Sequence, residues 1–128
     1  MTWSPIIPSL RCKDARAELE FLRDAFGLTV RAVYPETGDP VMHAELSYGT
    51  GMVMLGSLSD GSDGRLDVDT GPSWLYVIVE DVDAHHARAV EAGAQIVQEP
   101  KDQGYGGSGY TARDPEGNLW SFGTYTPS

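Results

Sequence analysis

His43 and Glu45 stand two residues apart in an apolar run from Val41 to Tyr48. On a strand that spacing puts both side chains on one face. An imidazole beside a carboxylate can relay a proton or act as a general base, and the carboxylate can pair with a ligand cation. Trp74 and Tyr76 are also two apart, and their rings can stack on a planar or cationic molecule. Arg11 could hold an anionic group. It could equally form an internal ion pair with Glu45, an arrangement that costs little where water reaches it.

Other residues with chemical potential fare less well. Gly104-Tyr-Gly106-Gly-Ser-Gly109 fits the dinucleotide spacing G-x-G-x-x-G. That fingerprint needs a strand before it and a helix N-terminus after it, whereas here a strand follows. The segment reads instead as a loop that could form a lid, with Tyr105 or Tyr110 covering a ligand. Asp60, Asp63, Asp67 and Asp69 lack the spacing of a calcium loop and its terminal Glu. His85 and His86 fall near the apolar edge of a helix, where packing explains them better than catalysis. Cys12 is the only cysteine, so no internal disulfide can form, and its apolar setting suits core filling. No serine sits in a nucleophile elbow.

The elements that must position these groups follow from periodicity and punctuation. Ile6 to Cys12 reads as a strand, and Asp14 as the cap of a helix from Ala15 to Phe26 that Gly27 ends. Strands follow at Leu28 to Tyr34, Val41 to Tyr48 and Met52 to Ser57. A polar connection, 58–72, then leads to a second set with the same order. It comprises a strand at Trp74 to Glu80, a helix from Val82 to Ala92 capped by Asp81 or Asp83, and a short strand at Gln95 to Gln98. Strands at Ser108 to Arg113 and Asn118 to Tyr125 complete it, joined by the tight turn Asp114-Pro-Glu-Gly117. The chain therefore reads β-α-β-β-β twice. Module 1 covers about 5–57 and module 2 about 73–126 of a single domain, 1–128.

A chain of 128 residues buries roughly two-thirds of its unfolded surface and can hold a core unaided. The net charge of −10, from 19 acids against 9 bases, argues against nucleic acid, which needs clustered Lys and Arg. The same charge would attract cations, including basic organic ligands. No stretch is long and apolar enough to cross a membrane, and no signal peptide is visible, so the cytoplasm is the expected location.

Three segments carry a family resemblance. Asp114-Pro-Glu-Gly-Asn-Leu-Trp120 resembles the Asp-Pro-x-Gly-Asn signature of the vicinal oxygen chelate superfamily, which includes glyoxalases, bleomycin-resistance proteins and dioxygenases. Val79-Glu-Asp-Val-Asp-Ala84 with Ala92-Gly-Ala94 is similar to its central strand-helix unit, and Ala25-Phe-Gly-Leu28 to the end of its first helix. The resemblance implies an α+β fold in which two βαβββ modules form a curved mixed sheet around a cavity, with helices on the outer face. It also implies a homodimer and a small-molecule ligand. Many members hold a divalent metal through four side chains, and those positions fall here at Ile7, Glu45, Trp74 and Ser121. Only Glu45 keeps a metal-binding carboxylate. Even with His43 added, two donors are too few to displace a cation's water, so no cofactor is expected.

Strand alternation would then place Ile7, Ser9, Arg11, His43, Glu45, Ser47, Trp74, Tyr76, Ile78, Leu119, Ser121 and Gly123 on the ligand face. The opposite face, with Leu10, Cys12, Ala44, Leu46, Leu75, Val77, Val79, Trp120 and Phe122, is almost wholly apolar and would lie under helices. The expected ligand-binding set is Arg11, His43, Glu45, Trp74, Tyr76, Tyr110 and Ser121. Three functions fit it. The first is metal-independent binding, as in antibiotic resistance by sequestration of a cationic, partly planar compound such as a glycopeptide. The second is a metal-dependent lyase, isomerase or dioxygenase of glyoxalase type. The third is a metal-free enzyme with Glu45 or His43 as general base.

Overall fold

A computed structural model describes residues 2–102, 104 and 106–127. It contains two four-stranded mixed sheets and two helices, with strand orders β1-β4-β3-β2 and β5-β8-β7-β6. Module 1 comprises β1 (Ser9–Cys12), α1 (Ala15–Phe26), β2 (Thr29–Tyr34), β3 (His43–Tyr48) and β4 (Gly51–Ser57). Module 2 comprises β5 (Trp74–Ile78), α2 (Val82–Glu91), β6 (Gln95–Asp102), β7 (Ser108–Arg113) and β8 (Leu119–Gly123). In each module the first strand pairs parallel with the last, and the other pairs are antiparallel. The expected α+β architecture of paired βαβββ modules is present.

The caps explain where the helices lie. Asp14 Oδ1 accepts from the Ala17 amide at 3.1 Å, and Gly27 at φ 80° turns the chain out of α1. Asp81 Oδ1 accepts from the Ala84 amide at 3.0 Å, which selects Asp81 over Asp83 as the second cap. Several strands begin or end a residue or two from their expected bounds, and two depart further. β1 begins at Ser9 rather than Ile6, because Pro8 has no amide to donate; only its carbonyl joins β4, through Met54 N. β6 runs on through Pro100 to Asp102. It is an edge strand with register shifts on both sides of Gln98, a place where proline is tolerated.

The connection between modules is tied down by arginines rather than left as free chain. Arg65 Nη1 donates to the Ser57 carbonyl at 2.7 Å, and its other donors reach the carboxylate of Asp63. The Arg65 guanidinium, with the Ser59 hydroxyl, holds the Asp63 carboxyl well below the usual carboxylate range. Arg11 Nη2 reaches the Leu66 carbonyl at 3.3 Å.

One core serves both modules. Leu10, Cys12, Ala44, Leu46 and Leu55 from the first sheet join Tyr110, Ala112, Trp120 and Phe122 from the second, around Leu19, Leu22 and Phe26 of α1. The Phe26 ring lies 5.6 Å from Trp120 and 4.7 Å from Phe122. The helix sides of both sheets thus converge on shared aromatic packing, and α1 packs against α2. The other faces of the two sheets turn away from that core.

Candidate functional site

The polar face of module 1 is built by register. Glu45 is flanked by Ala32 on β2 and Met54 on β4, while His43 stands opposite Tyr34. His43 Nε2 and Glu45 Oε2 are 2.9 Å apart, and both side chains are about a third exposed or more, at 40% and 35%. The Tyr34 ring stacks on His43 with centroids 6.3 Å apart. With Nε2 engaged by the carboxylate, Nδ1 is the nitrogen left for a ligand. At the other end of β3, Arg31 Nε donates to Ser47 Oγ at 2.8 Å, and its guanidinium sits 5.5 Å above the Trp3 ring. This face can pair with a cation at Glu45, accept a proton at His43 and cover an aromatic ligand with Tyr34.

The polar face of module 2 follows from the β5–β8 register. Trp74 Nε1 donates to Ser121 Oγ at 2.8 Å, and Ser121 Oγ is 2.7 Å from Thr111 Oγ1. Tyr76 OH donates to the Tyr125 carbonyl at 2.6 Å. A Cβ on Gly123 would come within 2.8 Å of the Tyr76 hydroxyl, so the glycine leaves the room in which that ring lies. A recess of about 340 Å³ forms here between Trp74, Tyr76, Gln98, Thr111 and Ser121. Trp74 is 72% exposed, and Tyr76 and Ile78 are also open to solvent.

The structure therefore brings His43 to Glu45, and Trp74 to Ser121. It does not join the two pairs within one chain, since they occupy the open faces of separate sheets. Arg11 is not paired with Glu45, because its Nη1 and Nη2 reach the carbonyls of Ser57 and Leu66 at the start of the connection. Tyr110 borders the recess of module 2 but is not the lid expected of it. It stands opposite Phe122 and lies under α2, fully buried, with its hydroxyl 2.6 Å from His85 Nδ1. Its neighbour Thr111 takes the open face, so no ligand on that face meets the Tyr110 hydroxyl. Tyr105, the other residue suggested for a lid, lies outside the described residues.

His85 is a packing residue, as its place on the helix suggested. Nε2 donates to the Phe26 carbonyl at 2.8 Å, leaving Nδ1 to accept from Tyr110. Burial lowers its pKa and favours the neutral ring that this bonding needs. Burial also pushes the Tyr110 phenol and the Cys12 thiol up, so neither is an activated group.

Asp114 accounts for the signature turn. Oδ1 accepts the amides of Glu116 and Asn118 at 2.9 and 3.0 Å, and Oδ2 accepts Asn118 Nδ2 and Trp120 Nε1 at 3.1 and 2.8 Å. Asn118 Oδ1 in turn accepts the Ser73 amide that leads into β5. The motif builds a turn and anchors a strand.

The four positions to which the family resemblance assigns metal ligands hold Ile7, Glu45, Trp74 and Ser121. The Ser121 hydroxyl is engaged by Trp74 and Thr111, and isoleucine and indole offer no lone pair to a cation. Among the described residues, no three His, Cys, Asp or Glu side chains come together as a metal site requires. This donor set does not fit the family's metal.

Sequence reasoning missed Trp3, Arg31 and Tyr34. Tyr34 and Arg31 were open to discovery, since β2 must pair with the strand carrying His43 and Glu45. A register shift between Val30 and Ala32 hides the side that Arg31 takes, and nothing local marks Trp3.

The comparisons agree with this geometry. The profile of the Glyoxalase/Bleomycin resistance protein/Dioxygenase superfamily matches residues 6–122, and the chain belongs to that superfamily. Uncharacterised proteins of Mycobacterium bovis and Mycobacterium tuberculosis are 31% identical over 121 residues. That stretch covers 91% of this chain and 80% and 71% of theirs. The crystal structure of TioX from Micromonospora sp. ML1 superposes with a TM-score of 0.83 at 31% identity, covering 96% of this chain and 99% of that one. A lactoylglutathione lyase from Agrobacterium tumefaciens shares the fold at 21% identity, with a TM-score of 0.70 and coverage of 94% and 92%. No helix among the described residues is long and apolar enough to cross a membrane.

Proposed function

We propose that the chain is a small-molecule-binding protein of the glyoxalase/bleomycin-resistance type, working without a metal and holding a cationic aromatic compound. The observation that carries this reading is the Glu45 carboxylate, about a third exposed and braced by His43, on which the Tyr34 ring stacks, on an open sheet face. A carboxylate so placed attracts a cation without the cost of full burial. The adjoining ring supplies stacking, and the net charge of −10 raises the local concentration of cations. Binding of this kind protects by mass action and needs no reacting group, which suits sequestration of an antibiotic.

The reading includes a homodimer. Trp74, Tyr76 and Ile78 stand exposed on an edge strand, and Ile6, which lines one cavity with Tyr76 and Ile78, is 82% exposed. Apolar residues on a free strand edge favour cover by another chain. A second copy could lay its module 1 face beside this module 2 face, and so bring a Glu45–His43 pair to a Trp74–Ser121 pair.

Thermal unfolding of the metal-stripped protein is the test, with three sets of probes: metal-free bleomycin and ethidium, small oxo acids, and divalent metals. A ligand at a hundred times its Kd adds about 2.7 kcal/mol, which reads as several degrees. The proposal expects the cationic aromatics to give that shift and Glu45→Gln to abolish it. A shift from Mn²⁺, Ni²⁺ or Zn²⁺ that Glu45→Gln removes would overturn metal independence and favour the lyase or dioxygenase reading. A shift from oxo acids alone would favour a metal-free enzyme that uses Glu45 or His43 as base.

A further inference from the structure

Glu18 lies in the middle of the buried stripe of α1, among Ala15, Leu19 and Leu22. It is fully buried, yet neither carboxylate oxygen has a hydrogen-bond donor. The side chain it meets across the module boundary is another acid, Asp114, on the turn between β7 and β8. Glu116 of the same turn also faces it, with its two oxygens capping the start of α1 through the Lys13 and Asp14 amides at 2.7 and 2.9 Å. From β1 comes the buried Cys12 thiol, and Arg11 beyond it acts on that thiol. Among the described residues, none of the groups that act on Glu18 is basic.

Two carboxylates in a dry site cannot both stay ionised, and their partners decide which one keeps the proton. Asp114 has four donors stabilising its charge, whereas Glu18 has none. We propose that Glu18 is a neutral carboxylic acid that donates its proton to Asp114, and that this shared proton is a latch between the modules which alkaline conditions release. When the proton leaves, Glu18, Asp114 and Glu116 become three negative charges at one junction. The turn is then driven off α1, and the Asp114 bonds to Asn118 and Trp120 go with it. Burial, with Asp114 second, pushes the Glu18 carboxyl up to about 10.

The sign of the pH dependence follows. A carboxyl with a folded pKa above its unfolded value contributes fully below the ordinary carboxylate range. That contribution falls as pH rises from there to about 10. Glu18→Gln keeps the shape and an N–H donor for Asp114 but cannot lose the proton.

Urea unfolding of the full chain at half-unit steps from pH 5.5 to 9.5 tests the proposal. The ratio of wild-type to Glu18→Gln unfolding constants should rise about tenfold per pH unit, as one proton requires. Cys12, the sole thiol, should become reactive to Ellman's reagent near pH 10 in the wild type and stay protected in the variant. Parallel stability profiles for the two proteins would overturn the latch. A carbon-13 titration placing the Glu18 carboxyl in the ordinary carboxylate range would also overturn it, and needs no variant.

Discussion

The open face of the first sheet is half-buried and polar, with His43 on Glu45 and Arg31 on Ser47, whereas that of the second leaves Trp74, Tyr76 and Ile78 in solvent. The helices differ in the same sense. α1 buries six residues, from Ala15 to Phe26, while α2 buries only Val82 and Ala89. One order of elements thus gives two degrees of closure. Module 1 has the deeper core and the charged chemistry. Module 2 borrows its core from Phe26 of module 1 and presents aromatic surface that a partner or ligand can cover. The lesson is that a repeated topology fixes where side chains point and leaves each face free to take a different task.

The dependence of module 2 on module 1 is where the largest effect is expected. Phe26→Ala should cost about 3–5 kcal/mol, as a buried aromatic touching both modules does. Urea unfolding followed by circular dichroism should show one transition at a lower midpoint. Two separated transitions would mean that the modules hold independent cores and would break the comparison.

Trp74→Ala probes the exposed side. The monomer should lose no more than about 0.5 kcal/mol, because the side chain is 72% exposed. The dissociation constant of the proposed dimer, measured by analytical ultracentrifugation, should rise at least about tenfold, as for an aromatic at an interface centre. Loss of monomer stability with unchanged association would place Trp74 in the fold instead.

Asp81→Ala should cost about 1 kcal/mol by removing the cap of α2. Asp14→Ala should cost less, since Glu116 also fixes the chain entering α1 through the Lys13 and Asp14 amides. Thermal melts of the two variants would reverse the ranking if the turn at 114–117 lends α1 no support.

Glu45 separates binding from stability. A partly exposed contact between an imidazole and a carboxylate contributes under about 1 kcal/mol, so Glu45→Gln should leave the melting temperature within a degree or two. Binding of cationic aromatics, followed by calorimetry, should be lost in the same variant. A large stability loss would make Glu45 a structural residue.

Much of this architecture could be read from residue spacing. The alternation Leu10–Cys12, Ala44–Leu46 and Trp120–Phe122 identifies the buried faces, and Asp14, Gly27 and Asp81 mark the helix ends. The side taken by Tyr110 was also recoverable by counting from Phe122 back through the Asp114 turn, and assigning it to a loop lid obscured that count. The spacing of Ala15, Glu18, Leu19 and Leu22 places an acid in an apolar stripe, which is the sign of a special environment. What spacing could not supply is long-range pairing. Arg11 prefers the Ser57 and Leu66 carbonyls to Glu45 because of where the 58–72 connection runs, and that is decided by Arg65 and its partners.

The Asp114 knot bears on how relatives are recognised. Each of its oxygens receives two donors, and all of them serve the turn and the strand beyond. A search keyed to this signature therefore retrieves shape and is blind to reaction. Proteins that share it can differ wholly in what they bind, and sorting them calls for a key drawn from the open faces, such as the residues at 7, 34, 43, 45, 74 and 121.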